Sequence, residues 1–457
     1  MDKMISRLRW PIAALMMLLA LLWPALWNGF PVVFYDTGGY LDSYMTGLLA
    51  NGRSAIYGFF LSLGIPTGFW LNVIVQAGAV TWLIVLALRT HYVASTPGFA
   101  VVVTLGIAAL TSLPWYAAQL MPDVWLPAGI LALYLLAFRG GELRRLEKIA
   151  LGAVTAFAIA GHMATLALML ALLALLPLWR WIAPRWHWPR PSLGRPALAV
   201  AAGVLLILFG NLFITGRFAF IPGGNNFLFG RLVQTGIAAR YLAGHCPDPS
   251  LRICAYRDTL PADGDFWLWN SESPLWKMGG WENFSDEARR IVLGSIRDYP
   301  DLHLRTAAMG ALSQFVMVKT GDYLTPQTWH THGILKKYAP GSYPAFLAAP
   351  QQRAELNFTW LNVVHVPVAL LAVAGLPAII LLTRRRRVRR SAASLALFVF
   401  IALAGNAAIS GALSNPHHRY QSRMIWLAPL ALVIAAGGLG RSGTILQDSP
   451  YFRRKQT

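Results

Sequence analysis

The chain has 457 residues, of which 56% are hydrophobic and 13% charged, with 39 Lys+Arg against 19 Asp+Glu. Soluble domains carry about 25% charged residues, so this composition excludes an ordinary soluble enzyme. Apolar runs of about 18 residues recur along it, the signature of membrane-spanning helices. The net charge of +20 and pI near 10.4 would suggest nucleic acid in a soluble protein. Here the basic residues cluster between apolar runs, which points to membrane orientation and to no nucleic-acid partner.

The first apolar run starts near Trp10 behind Lys3, Arg7 and Arg9 and reaches Phe30. It has no A-x-A-like cleavage site at its end and reads as a retained helix. Ten spans follow from the pattern: 10–30, 66–88, 98–114, 124–138, 149–161, 162–179, 197–214, 358–382, 393–412 and 424–440. The stretch 149–179 has basic flanks on both sides, so it reads as a short hairpin with Gly161-His162 at its tip. A single crossing there would invert the Arg384–Arg387, Arg389 and Arg390 cluster, the strongest orientation signal in the chain. With ten spans, 22 Lys/Arg and four acids fall on the cytoplasmic side, leaving 17 and 15 on the other. The net charge is then met by anionic inner-leaflet lipid. The expectation is an all-α polytopic protein of the inner (plasma) membrane, with both termini cytoplasmic and a mostly helical extracytoplasmic region. Its modules would be 1–214, 215–357 and 358–457.

The first outer loop, 31–65, opens with Asp36-Thr37-Gly38-Gly39-Tyr40. A carboxylate there can take a proton from an acceptor hydroxyl, with the glycines allowing close backbone approach. The alternative is that Asp36 caps a helix over 38–50. Asp123, in Met121-Pro122-Asp123-Val124-Trp125, either opens the fourth span or forms a second acid of a paired-carboxylate or divalent-cation site. His162 either binds a phosphate or relays a proton, or simply caps two short helices.

Region 215–357 is too long for a connector. Helices are predicted at 285–298, with Ser285 at its start and Ala288, Ile291, Val292 and Ile296 on one face, and at 300–319. The second carries Asp301, His303, Arg305 and Gln314 and reads as lying at the membrane interface. Cys246 and Cys254, the only cysteines, are expected to form a disulfide; half a zinc site with His245 is the alternative. Asp263, Asp265, Trp267, Trp269, Glu272, Trp276, Trp281 and Glu282 offer acids and sugar-stacking faces, or an interfacial aromatic belt.

The last outer loop, Ser414-Asn415-Pro416-His417-His418-Arg419-Tyr420-Gln421-Ser422-Arg423, concentrates donors suited to an anion. Arg423 alone can also be read as snorkelling to headgroups. No Gly-x-x-x-x-Gly-Lys phosphate loop is present.

The order of Asp36, Asp123, His162, 215–357 and Arg419-Tyr420 resembles the GT-C superfamily of membrane glycosyltransferases, such as protein mannosyltransferases and lipid A aminoarabinose transferases. The resemblance implies inverting transfer of a sugar from a polyprenyl-phosphate carrier to a glycan, lipid or protein acceptor on the outer face. Asp36 would then be the general base, Asp123 a second acid, and Arg419 the carrier-phosphate ligand. His162, His417, His418, Tyr420, Arg423 and Tyr40 would line the substrate, with a divalent cation possible. Asp42, six residues after Asp36, departs from the family's paired acids. A surface-polysaccharide polymerase or ligase, or a lipid-linked glycan transporter, is the alternative. Transport would need ionisable groups mid-membrane, where the notable polar residues are Gln76 and Asn406.

Overall fold

The computed structural model describes residues 2–93, 96–327, 329–382 and 387–437. Among these the chain is all-α, its only β pairing being the bridge between Val32 and Gln119. Six helices are long and apolar enough to cross a membrane: Leu8–Asn28, Trp70–Thr90, Met163–Trp186, Gly194–Thr215, Thr359–Leu381 and Arg390–Leu413. Several carry large apolar side chains outward, among them Leu198, Leu205 and Phe213 on the fourth and Trp360, Val363 and Leu371 on the fifth. Apolar surface so continuous requires a non-aqueous surround.

The other four predicted spans coincide with shorter helices. Thr96 caps Pro97–Leu110 by accepting from the Phe99 amide, with Pro97 at the first turn where its missing N–H costs nothing. Trp125–Phe138 is buried at every position, as expected of a helix apolar on all sides at the centre of a bundle. Arg145–Gly161 and Met163–Ile182 meet at His162, whose extended backbone breaks them apart, so the predicted hairpin is two helices. The last helix among the described residues is Leu427–Gly437; residues 438–440 of its predicted span and the cluster Arg384–Arg386 lie outside them.

Region 215–357 is not one unit. Phe229, Trp267, Phe284 and Ile291 anchor a separate core, whereas Val318, Leu324, Leu335 and Phe346 join the main core. The helix predicted at 285–298 begins earlier, at Gly280, so Ser285 is not its cap; the turn before it is set by Gly279 and Gly280 at positive φ. Its face buries Ala288, Ile291 and Val292, while Ile296 is exposed. The helix predicted at 300–319 spans Pro300–Val316 and leaves Leu304, Met309, Leu312 and Val316 exposed. It packs on Arg387–Leu413 at Gly310 and Gly411, where a Cβ on either would collide with the other's carbonyl. Cys246 and Cys254 are disulfide-bonded, with S–S 2.07 Å.

Candidate functional site

Three sequence-distant segments are tied together at one end of the helix array. Val32 donates to Ala118 O at 2.9 Å and accepts from the Leu120 amide at 2.8 Å. This short pairing holds the chain leading to Asp36 against the chain leading to Asp123. Thr37 reinforces it by donating to Leu120 O while accepting from the Phe34 amide. The third segment, the short helix His418–Ser422, is pinned by Ser112 Oγ donating to Ser422 O at 2.7 Å and by Tyr116 OH donating to Arg419 O. Asn406 adds bonds to Tyr420 O and Gln421 Oε1. Gln76, the other polar residue singled out within a span, accepts from Tyr57 OH and donates to Ala117 O and Gln119 O. Both spend their amides on structural bonds.

The result brings together residues far apart in sequence. Asp36 pairs with Arg53 through one oxygen, and its other oxygen lies 3.7 Å from Arg419 Nη2. Asp123 Oδ1 lies 3.0 Å from Arg423 Nη1 and 3.7 Å from Arg419 Nε. Arg419 therefore stands between the two carboxylates, its guanidinium 4.2 Å from the Phe34 ring centroid and 5.3 Å from that of Tyr420. Tyr420 also lies under Arg423, at 5.4 Å. Tyr40, one turn after Asp36, is buried with its ring against Tyr57.

Four sequence expectations need correction here. Asp36 caps no helix: it sits inside the first turn of Tyr35–Thr46, where Thr37 supplies the capping oxygen. Arg423 does not snorkel, because it is 2% exposed and spent on Asp123. His418 is not gathered into the cluster; its Nδ1 accepts from the Lys319 amide. Trp267 and Trp281 are buried and unavailable for stacking on a ligand, whereas Trp269 and Trp276 are exposed. Asp42 accepts from Tyr338 OH at 3.4 Å.

Arg53 was the missed member. It is the only Lys or Arg between 31 and 65, and a lone cation sharing a loop with a candidate carboxylate was the available signal. Its guanidinium lies 4.7 Å from the ring centroid of Trp269. Asp322, also unread, accepts from the Arg419 amide at 3.1 Å.

The electrostatics follow from this geometry. Burial pushes the Asp36 carboxyl up, but the Arg53 and Arg419 guanidiniums outweigh it and hold it below the usual range. Burial opposes the charge on Arg419, and Asp123, with Tyr420 and Asp36, more than offsets it, raising its pKa. The guanidiniums of Arg53, Arg419 and Arg423 thus face the carboxylates of Asp36 and Asp123, with Asp322 at the Arg419 amide. Moreover, Arg419 Nη1 and Arg423 Nε and Nη2 are buried without a hydrogen-bond partner in the protein. Such donors are costly to leave unpaired and fit an anion. They do not fit a cation: both carboxylates are already neutralised, and no group of three or more His, Cys, Asp or Glu side chains suited to a metal is found among the described residues.

His162 accepts from the Ala164 amide through Nδ1, so it does cap the second hairpin helix, and it also faces the cluster. Burial, aided by Arg423, depresses its pKa to about 4 from the ordinary 6.5. The ring is neutral at pH 7, and the unfolded chain binds its proton more readily than the folded protein. The stability it contributes is complete above about pH 6.5 and is lost as pH falls towards 4. Thermal unfolding of detergent-purified protein should weaken across that window, and His162→Gln should flatten that part of the profile. An unchanged profile in the variant would contradict this assignment.

No protein-family model, curated protein or solved structure matches the chain.

Proposed function

We propose that this protein is a glycosyltransferase of the plasma membrane that moves a sugar from a polyprenyl-phosphate carrier to an acceptor at the extracytoplasmic face. In this reading all ten apolar helices cross the bilayer, the termini are cytoplasmic, and the Asp36–Arg419–Asp123 cluster opens outward. The observation that carries it is the pair of buried guanidiniums, Arg419 and Arg423, with unpaired N–H groups.

The chemistry follows from those groups. When the sugar leaves its carrier, the phosphate gains negative charge, and pre-oriented guanidiniums stabilise that change in a site shielded from water. Transport is disfavoured because Gln76 and Asn406 are committed to structural bonds. Asp36, ionised beside Arg53, receives the acceptor hydroxyl as a hydrogen bond and aims its oxygen at the sugar. Its paired state makes it a weak proton acceptor.

Asp36→Asn should abolish most transfer in proteoliposomes supplied with a polyprenyl-phosphate-linked hexose, while Arg419 still holds the phosphate. Wild-type turnover in that variant would remove Asp36 from the reaction.

A further inference from the structure

Arg53 enters the transfer scheme only as the partner of Asp36, and part of what holds Arg53 comes from the separate core of the 215–357 region. Its main chain is fixed locally. The Arg53 amide donates to Ala50 O at 3.2 Å, the Gly52 amide to Pro222 O at 2.9 Å, and Ser54 Oγ to Ala160 O at 2.6 Å. A fixed backbone does not fix so long a side chain, which keeps its rotamer freedom until its tip is restrained. Two contacts besides Asp36 restrain it. Nη1 donates to Asn51 O at 2.8 Å within the same loop, and Cζ lies over the Trp269 ring, 4.7 Å from its centroid. Nη2 then meets Asp36.

Trp269 is itself held from two sides. Its ring packs on Trp281 at 5.2 Å and on Phe227 at 6.0 Å, and Trp281 belongs to the core around Phe229. The helix that carries it, Gly264–Trp269, is tied to the last outer loop through Asp265. Asn415 Nδ2 donates to Asp265 Oδ1 at 2.9 Å, and His417 Nε2 lies 3.1 Å from Asp265 Oδ2. Asp265 and Trp269 are four residues apart, so they share a face of that helix. One short helix therefore reaches from the loop that leads to Arg419 to the partner of Asp36.

We infer that Trp269 is a positioning residue for sugar transfer, holding Arg53 in the orientation that aims the Asp36 carboxylate. This rests on the transfer reaction proposed above. One Asp36 oxygen is engaged by Arg53, and the other lies 3.7 Å from Arg419 Nη2. The Arg53 contact thus decides how the carboxylate is turned towards the acceptor hydroxyl. Without the indole face, the guanidinium regains other rotamers and Asp36 keeps only the longer contact to Arg419. Misplacing a group at the reacting centre by about 1 Å can cost 10²-fold in rate. The donor's affinity should be spared, because Arg419 and Arg423 hold its phosphate and neither depends on Trp269.

The test uses the full chain in proteoliposomes with a polyprenyl-phosphate-linked hexose and a hydroxyl acceptor. Trp269 is 39% exposed, so Trp269→Leu changes a surface ring and leaves the core intact. It should lower kcat by about 10- to 10²-fold, with donor KM little changed. Trp269→Phe, which restores an aromatic face, should recover most of that loss. Arg53→Ala should lower kcat at least as far, and adding Trp269→Leu to it should cost nothing more, because the indole then has no guanidinium to hold. A double variant that loses the full product of the two single effects, as general damage to the fold would give, overturns the inference. So does a Trp269→Leu enzyme with wild-type kcat. A raised acceptor KM at unchanged kcat also overturns it, making the indole a stacking surface for the acceptor. A wild-type protein that transfers no sugar overturns the underlying reaction, and the inference with it.

Discussion

Asp123→Asn is expected to be among the most destabilising single substitutions in the chain, costing about 3–5 kcal/mol. Asp123 is 1% exposed and faces two guanidiniums, Arg423 at 3.0 Å and Arg419 at 3.7 Å, themselves 2% and 8% exposed. The amide keeps the shape but removes the negative charge, leaving Arg423 buried without a counter-ion. Uncompensated buried charge is what makes the loss of one partner so much costlier than the net worth of the pair. Thermal unfolding in detergent reads this directly. A midpoint within a degree or two of wild type would mean that Arg423 is solvated or paired elsewhere.

Arg419→Ala should do the reverse, sparing the fold and removing the reaction. Asp36 retains Arg53 and Asp123 retains Arg423, so neither carboxylate is orphaned. What is lost is the guanidinium between them, with its unpaired Nη1. Removing one pre-oriented donor to a developing anion costs about 10²–10³ in kcat, and turnover should fall by at least that much. Arg419→Lys should recover little, since a point charge cannot reproduce the planar fork held against Phe34. An Arg419→Ala protein that unfolds like Asp123→Asn, or that turns over normally, would show that Arg419 serves structure alone.

Much of this arrangement was legible in the sequence. Every predicted apolar run corresponds to a helix, because period and length depend only on local composition. The helix break at His162 was legible too, since basic flanks on both sides of one apolar stretch are a local signal. Asp36, Asp123 and Arg419 stood out because charged residues at the ends of apolar segments are rare. Their partners did not. Arg53 meets Asp36 only because the chain turns back after Tyr35–Thr46, and Asp265 meets Asn415, 150 positions along the chain. No periodicity encodes such contacts. The alternative of a snorkelling Arg423 could not be dismissed from sequence, because a basic residue beside a span has the same appearance whether it reaches headgroups or an internal carboxylate. Trp267 and Trp281 illustrate the same limit: burial in the separate core around Phe229 and Phe284 depends on tertiary packing.

The central claim is that Arg419 and Arg423 hold a lipid-linked phosphate between Asp36 and Asp123. An electron cryo-microscopy structure of the full chain with polyprenyl monophosphate bound would test it most directly. Phosphate oxygens should lie at charge-assisted hydrogen-bond distance, about 2.7–2.9 Å, from Arg419 Nη1 and from Arg423 Nε or Nη2. A phosphate lodged elsewhere, with both guanidiniums still unpartnered, would contradict it.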